Sequence, residues 1–167
     1  NYSKQKTFLQ ELTEYENLLW MQTLSKAVGL AALRRGLAFA AEKIIDLFNK
    51  VKPPYNINLA SQQHGLKALE GIKEVNANIK TTVIQRELMG QDLMKFDFIE
   101  KIYPSDANFI LIKTKNADKL YQYLSGKKII VRNRSKEPLC ENCIRVTVGT
   151  PVENMTLIEA LKNYKND

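Results

Sequence analysis

The chain has 167 residues, 44% of them hydrophobic, which suffices for one domain with a core or for part of a larger protein. No apolar stretch approaches the roughly 18 residues that a membrane span requires, so no membrane partner is expected. Lys and Arg outnumber Asp and Glu by 25 to 18, and the resulting +7 is scattered, without aromatic-interleaved basic runs; this favours small anionic ligands, or a missing acidic half, over a nucleic acid.

The opening NYSKQKTF has neither the apolar core of a secretory signal nor an arginine-rich, acid-poor presequence, so the expected location is cytoplasmic. It also lacks an initiator methionine, and an N-terminal portion is expected to be missing. Phe8, Leu9 and Leu12 sit at helical spacing, and the run Leu18, Leu19, Trp20, Met21 ending at Thr23 predicts a buried strand. After a small-residue segment of Gly29, Ala31, Ala32 and Gly36, Leu37 to Ala40 predict a second buried strand. Glu42 to Asn49 then predict a helix with Ile44, Ile45 and Phe48 inward. Such alternation is that of an α/β layer architecture.

Pro53 and Pro54 must stop that helix, since neither donates a backbone hydrogen bond and each displaces its predecessor from helical geometry. From Ala60 to Met94 nearly every residue favours helix, interrupted only by Gly65, Gly71 and Gly90, which predicts two helices with the second one long. Strands are expected over Ile99–Tyr103, Phe109–Lys113, Ile129–Arg132 and Ile144–Val148, and helices over Ala117–Ser125 and from Pro151 to about Asn163. Thr150, Pro151 and Glu153 form a capping-box start for the last helix. The expected division is residues 1–70, then an α+β unit of residues 71–167 joined by the long helix.

The stretch TLSKAVGLAALRRG, residues 23–36, carries the most chemistry. It sets Lys26 at the end of a strand, beside the Ser25 hydroxyl and among small residues that leave room for a bulky partner. Partial loss of solvent is expected for an amine held there, which would make it nucleophilic toward aldehydes and favour Schiff-base chemistry. Ser25 and the planar fork of Arg34 suit an attached phosphate. Spacing alone equally admits a solvent-facing lysine and surface arginines. Cys140 and Cys143 form a single CxxC whose only histidine, His64, is remote in sequence; no metal site is expected, and the two cysteines read as reduced and structural.

The order Thr23, Leu24, Ser25, Lys26, Ala27, Val28, Gly29, with Arg34 eight places after the lysine, resembles the lysine signature of fold-type I aminotransferases that use pyridoxal 5′-phosphate (PLP). KPPYNIN at 52–58, YPSDANFIL at 103–111, GKKIIVRNR at 126–134 and CIRVTVGTPVEN at 143–154 resemble successive segments of the histidinol-phosphate aminotransferase branch, over nearly the whole chain. The resemblance implies the C-terminal part of the PLP-binding large domain over 1–70 and the small C-terminal domain over 71–167. It implies Lys26 as cofactor anchor and general acid/base, Ser25 and Arg34 as cofactor-phosphate ligands, and Arg132 and Arg145 as ligands of substrate anions. The implied substrates are glutamate and imidazole-acetol phosphate, and the implied assembly is a homodimer. Arg35 falls where the family has a small or apolar residue and reads as a surface charge. Arg134 stays outside the site, and without the resemblance Arg132 and Arg145 read as exposed residues of a β-hairpin. Tyr55, Asn56 and Asn58 match a loop that in these enzymes lies near the dimer interface.

Two departures matter. The family's aspartate against the pyridine nitrogen, and a tyrosine on the ring oxygen, lie in a DEAY-like segment that would end just before Asn1. These 167 residues are therefore expected not to catalyse transamination alone. The alternatives are another PLP enzyme of the fold, such as a threonine-phosphate decarboxylase or an aromatic aminotransferase, and a non-catalytic fragment acting in binding or assembly.

Overall fold

The computed structural model describes residues 2–3 and 5–165. Contacts divide it into two compact units, residues 3–77 and residues 78 onward.

The first unit opens with a 3-10 turn, Phe8–Glu11, whose Thr7 hydroxyl accepts from the Leu9 N–H at 3.2 Å. Strands β1 (Leu19–Thr23) and β2 (Gly36–Ala40) then pair antiparallel, from Leu19 opposite Ala40 to Thr23 opposite Gly36. Trp20 faces Phe39 in this register, their ring centroids 5.5 Å apart. The expectation of buried strands does not hold: Met21 is 72% exposed and Leu37 43%. The reason is geometric, because a ribbon of two strands has no third strand beside it among the described residues.

Helix α1 (Glu42–Val51) ends at Lys52, which turns to φ −66°, ψ 145° ahead of Pro53 as its steric clash demands. Ile44 and Ile45 are half-buried, but Phe48, expected inward, is exposed. Helix α2 (Leu59–Glu70) starts under Asn58, whose side chain accepts from the Ser61 N–H at 2.8 Å. Gly71 separates it from α3 (Ile72–Leu93), while Gly65 and Gly90 stay inside their helices. The 22 residues of α3 extend over about 33 Å.

The second unit is an antiparallel sheet in the order β3-β4-β6-β5. Its strands are β3 (Ile99–Ile102), β4 (Phe109–Thr114), β5 (Arg132–Asn133) and β6 (Cys143–Thr147). Helices α4 (Ala117–Gly126) and α5 (Pro151–Lys162) complete it. Ile110, Ile112, Ile144 and Val146 join Met89 and Leu93 of α3, Leu120 and Leu124 of α4, and Leu157 and Leu161 of α5 in one buried cluster. One sheet face is thus covered by helices, an α+β layer pair.

The strand expected over Ile129–Arg132 begins only at Arg132. Helix α4 ends with Lys128 left-handed at φ 61°, its N–H on the Ser125 carbonyl and the Ile129 N–H on the Leu124 carbonyl. This paired closure uses the residues up to Val131, which is buried, to leave the helix. Helix α5 begins as expected: Thr150 Oγ1 accepts from the Glu153 N–H and the Glu153 carboxylate accepts from the Thr150 N–H at 2.7 Å.

Those bonds hold the Glu153 carboxyl below its ordinary value of 4.5, the Thr150 backbone N–H being the largest cause. A lowered folded pKa contributes stability that is present above the unfolded value and is lost as pH falls through the folded one. The stability difference between wild type and Glu153→Gln, measured by urea melts, is therefore expected to be constant above about pH 5.5 and to shrink on acidification through pH 4. Thr150→Ala is expected to cost about 1 kcal/mol at neutral pH in the same assay.

Candidate functional site

The loop between β1 and β2 is closed at its base by the Leu24 N–H on the Arg35 carbonyl (3.2 Å), and is folded inward by the Leu30 N–H on the Leu24 carbonyl (3.0 Å). Leu24 is its buried anchor. A tight turn follows, with the Gly29 N–H on the Lys26 carbonyl at 3.1 Å and Gly29 at φ 76°, a conformation that glycine adopts without steric cost. Gly36 is needed for a different reason: a Cβ there would stand 3.1 Å from the Gln22 carbonyl oxygen across the ribbon.

Ser25, Lys26 and Arg34 are thus carried on one loop. The Thr23 hydroxyl donates to Ser25 Oγ at 2.8 Å and accepts from the Ser25 N–H, so the Ser25 hydroxyl proton remains to be donated outward. The loss of solvent expected at Lys26 does not hold: the residue is exposed, and it has no ion-pair partner among the described residues. Arg34 is left-handed at φ 52°, and among the described residues its guanidinium donates only to the Ala31 carbonyl, at 3.3 Å. The donor set fits a phosphorylated aldehyde: an amine, a hydroxyl and a guanidinium on a loop of small residues.

Arg35 is not the surface charge expected. It is half-buried, donates to the Asn56 carbonyl at 2.7 Å, and has its Nε buried without a partner among the described residues. It ties the loop after Pro54 to the base of the Lys26 loop. Within that tied segment Tyr55 is 96% exposed, and Asn58 is occupied in capping α2.

In the second unit, Arg132 and Arg145 are directly opposite each other on β5 and β6, which sets their Cα atoms about 4.5–5.5 Å apart and both side chains on one face. Leu111 of β4 continues that row, and Tyr103, whose N–H donates to the Leu111 carbonyl at 3.0 Å, ends it. The Arg145 guanidinium carbon lies 5.1 Å from the Phe109 ring centroid, and its Nε is buried without a hydrogen-bond partner among the described residues. Arg132 is exposed. Lys101 and Lys113 share this face, so it is cationic opposite an apolar core. Arg134 is paired with Glu137 at 3.3 Å. Neither Arg132 nor Arg145 has a carboxylate partner among the described residues, and two unpaired guanidinium groups side by side suit a carboxylate or phosphate. Phe109 was not legible as part of this arrangement; its signal is the alternation that places it two residues from Leu111.

Cys143 is buried and next to Tyr103. Burial raises both groups, the thiol against the opposing effect of its hydrogen bond with Tyr103 and the phenol with a further rise from Cys143. No cluster of metal-ligating side chains occurs among the described residues.

Comparison with known proteins gives three findings. The family model for aminotransferase class I and II matches residues 2–161. A histidinol-phosphate aminotransferase of Flavobacterium psychrophilum is 51% identical over 162 residues, covering 97% of this chain and 46% of that protein. Among solved structures, the histidinol-phosphate aminotransferase of Clostridium acetobutylicum superposes with TM-score 0.84 at 22% identity, over 93% of this chain and 48% of that one. That of Sinorhizobium meliloti, in complex with pyridoxal-5′-phosphate, superposes with TM-score 0.74 at 21% identity, over 92% and 44%. At these identities the two structures establish the fold. The chain spans about half the length of the curated relatives it matches.

Arg145 is expected to be retained at a cost to folding. Its buried, unpartnered Nε carries a desolvation penalty of about 1–3 kcal/mol, against about 0.5–1 kcal/mol from the contact with Phe109. Arg145→Met is expected to raise the urea-unfolding free energy by about 1 kcal/mol, and a loss of that size instead would mean that the guanidinium is a structural group.

Proposed function

Because this chain belongs to the class I and II aminotransferases, we propose that it is the C-terminal part of an enzyme that moves an amino group from glutamate to imidazole-acetol phosphate. The products are histidinol phosphate and 2-oxoglutarate. The observation that carries the reading is the Lys26 loop: an amine without an ion partner, a donating hydroxyl and an arginine, all between two paired strands. Residues 1–70 belong in this proposal to the PLP-binding large domain and 71–167 to the small domain. The acidic partner of the pyridine nitrogen comes from the portion of the parent protein outside this chain, so these residues alone do not turn over substrate.

PLP, when bound, supplies an aldehyde and a ring that accepts electron density from the substrate. Lys26 Nζ anchors it and afterwards holds and moves the proton at the substrate Cα. Ser25 and Arg34 bind the cofactor phosphate, the hydroxyl as a single donor and the guanidinium as a charged fork. Arg132 and Arg145 orient the anionic end of the substrate. Two guanidinium groups on one face of a ladder accept either a carboxylate or a phosphate ester, as an enzyme alternating between glutamate and a phosphorylated imidazole requires. The parent protein is proposed to be a cytoplasmic homodimer.

In the intact parent, Lys26→Ala is expected to lower turnover by at least about a thousandfold with unchanged circular dichroism. Borohydride in the presence of PLP is expected to leave a cofactor-sized mass on the peptide containing Lys26. Modification elsewhere, or none, would remove the basis for the assignment. Arg145→Gln is expected to raise KM for glutamate by about 10- to 100-fold. Product analysis with imidazole-acetol phosphate, threonine phosphate and aromatic oxo acids separates the proposed reaction from a decarboxylase or an aromatic aminotransferase.

A further inference from the structure

The cysteine pair lies where the β5–β6 loop enters β6. The Cys143 N–H donates to the Cys140 carbonyl at 2.9 Å, and Asn142 between them is left-handed at φ 56°. Residues joined by such a four-residue turn have Cα atoms within about 7 Å. Disulfides need Cα separations of about 4.4–6.8 Å, so the backbone is already folded to the span of a bond. The two thiols are not equivalent. Cys140 is half-exposed at the surface. Cys143 is buried, with its sulfur 3.7 Å from the Glu141 carbonyl. The rest of the loop is held in place by the Glu137 N–H on the Arg134 carbonyl, the Cys140 N–H on the Glu137 carbonyl and the Arg134 N–H on the Cys143 carbonyl at 2.8 Å.

We propose that Cys140 and Cys143 form a redox-active dithiol that reacts with low-molecular-weight disulfides and closes to an intramolecular disulfide. Cys140, as thiolate, attacks one sulfur of glutathione disulfide; the external S–S bond breaks and one glutathione thiolate leaves. Cys143 then gives up its proton and attacks the Cys140 sulfur, expelling the second glutathione thiolate. Two protein thiols are oxidised, one external disulfide is reduced to two thiols, and the two protons released are taken up by the departing thiolates or solvent. The order of attack follows from access, and the high pKa that burial imposes on Cys143 makes the second step the slower one. Closure places a covalent bond two residues before Arg145, on the same sheet face. The dithiol chemistry stands independently of the proposed transamination.

The test is mass spectrometry of the full-length protein incubated with glutathione disulfide. Wild type is expected to lose the mass of two hydrogens through a transient glutathione adduct on Cys140, and to recover them with a reducing phosphine. Cys143→Ser and, as a smaller substitution, Cys143→Ala are expected to keep the adduct on Cys140, with glutathione release at least about tenfold slower than in wild type. Cys140→Ser is expected to take up no glutathione at Cys143. A persistent adduct on wild-type Cys140, an unmodified Cys140 in both Cys143 variants, or a bond between two protein molecules would each overturn the proposal.

Discussion

The second unit depends on the antiparallel pairing of β4 with β6. Along each strand side chains alternate between two faces, so Ile110, Ile112, Ile144 and Val146 enter the core together and Phe109, Leu111, Lys113, Cys143 and Arg145 face the other way together. A one-residue slip in this register would expose the core and bury the cations at once. The core and the cationic surface are therefore selected by the same hydrogen-bond ladder. β5 adds only two residues to it, but one of these is Arg132, set directly against Arg145.

Much of this was legible from the chain alone where a local steric rule decides the outcome. Two prolines end α1, Gly71 separates two helices, and Thr150, Pro151 and Glu153 start the last helix by hydrogen bonds among neighbours. Lys26 with Ser25 and Arg34 was readable as a cluster because all three lie on one loop. What failed was whatever depends on partners remote in sequence. The apolar runs of β1 and β2 promised burial, but burial is a property of what lies on top of a strand, and the ribbon has no third strand among the described residues. Phe48 misled for the same reason.

β5 began late for a subtler cause. Ile129 to Arg132 carry strand-forming side chains, but a left-handed lysine at the end of α4 uses the intervening backbone to satisfy helix carbonyls. Position 128 has no glycine to signal this closure. Arg35 was misread because charge suggests solvent, whereas a long side chain can run inward to reach a carbonyl, here that of Asn56. The pairing of Arg132 with Arg145 needed register, which thirteen residues of separation do not specify.

The open ribbon also bears on the fate of the chain in a cell. Trp20, Met21, Leu37 and Phe39 lie on a pair of strands whose outer edges have no strand partner among the described residues. Edges of this kind template pairing with other chains, and such surfaces are what chaperones and proteases recognise. With Met21 and Leu37 exposed on it, a ribbon left uncovered is a place where pairing with other chains competes with folding.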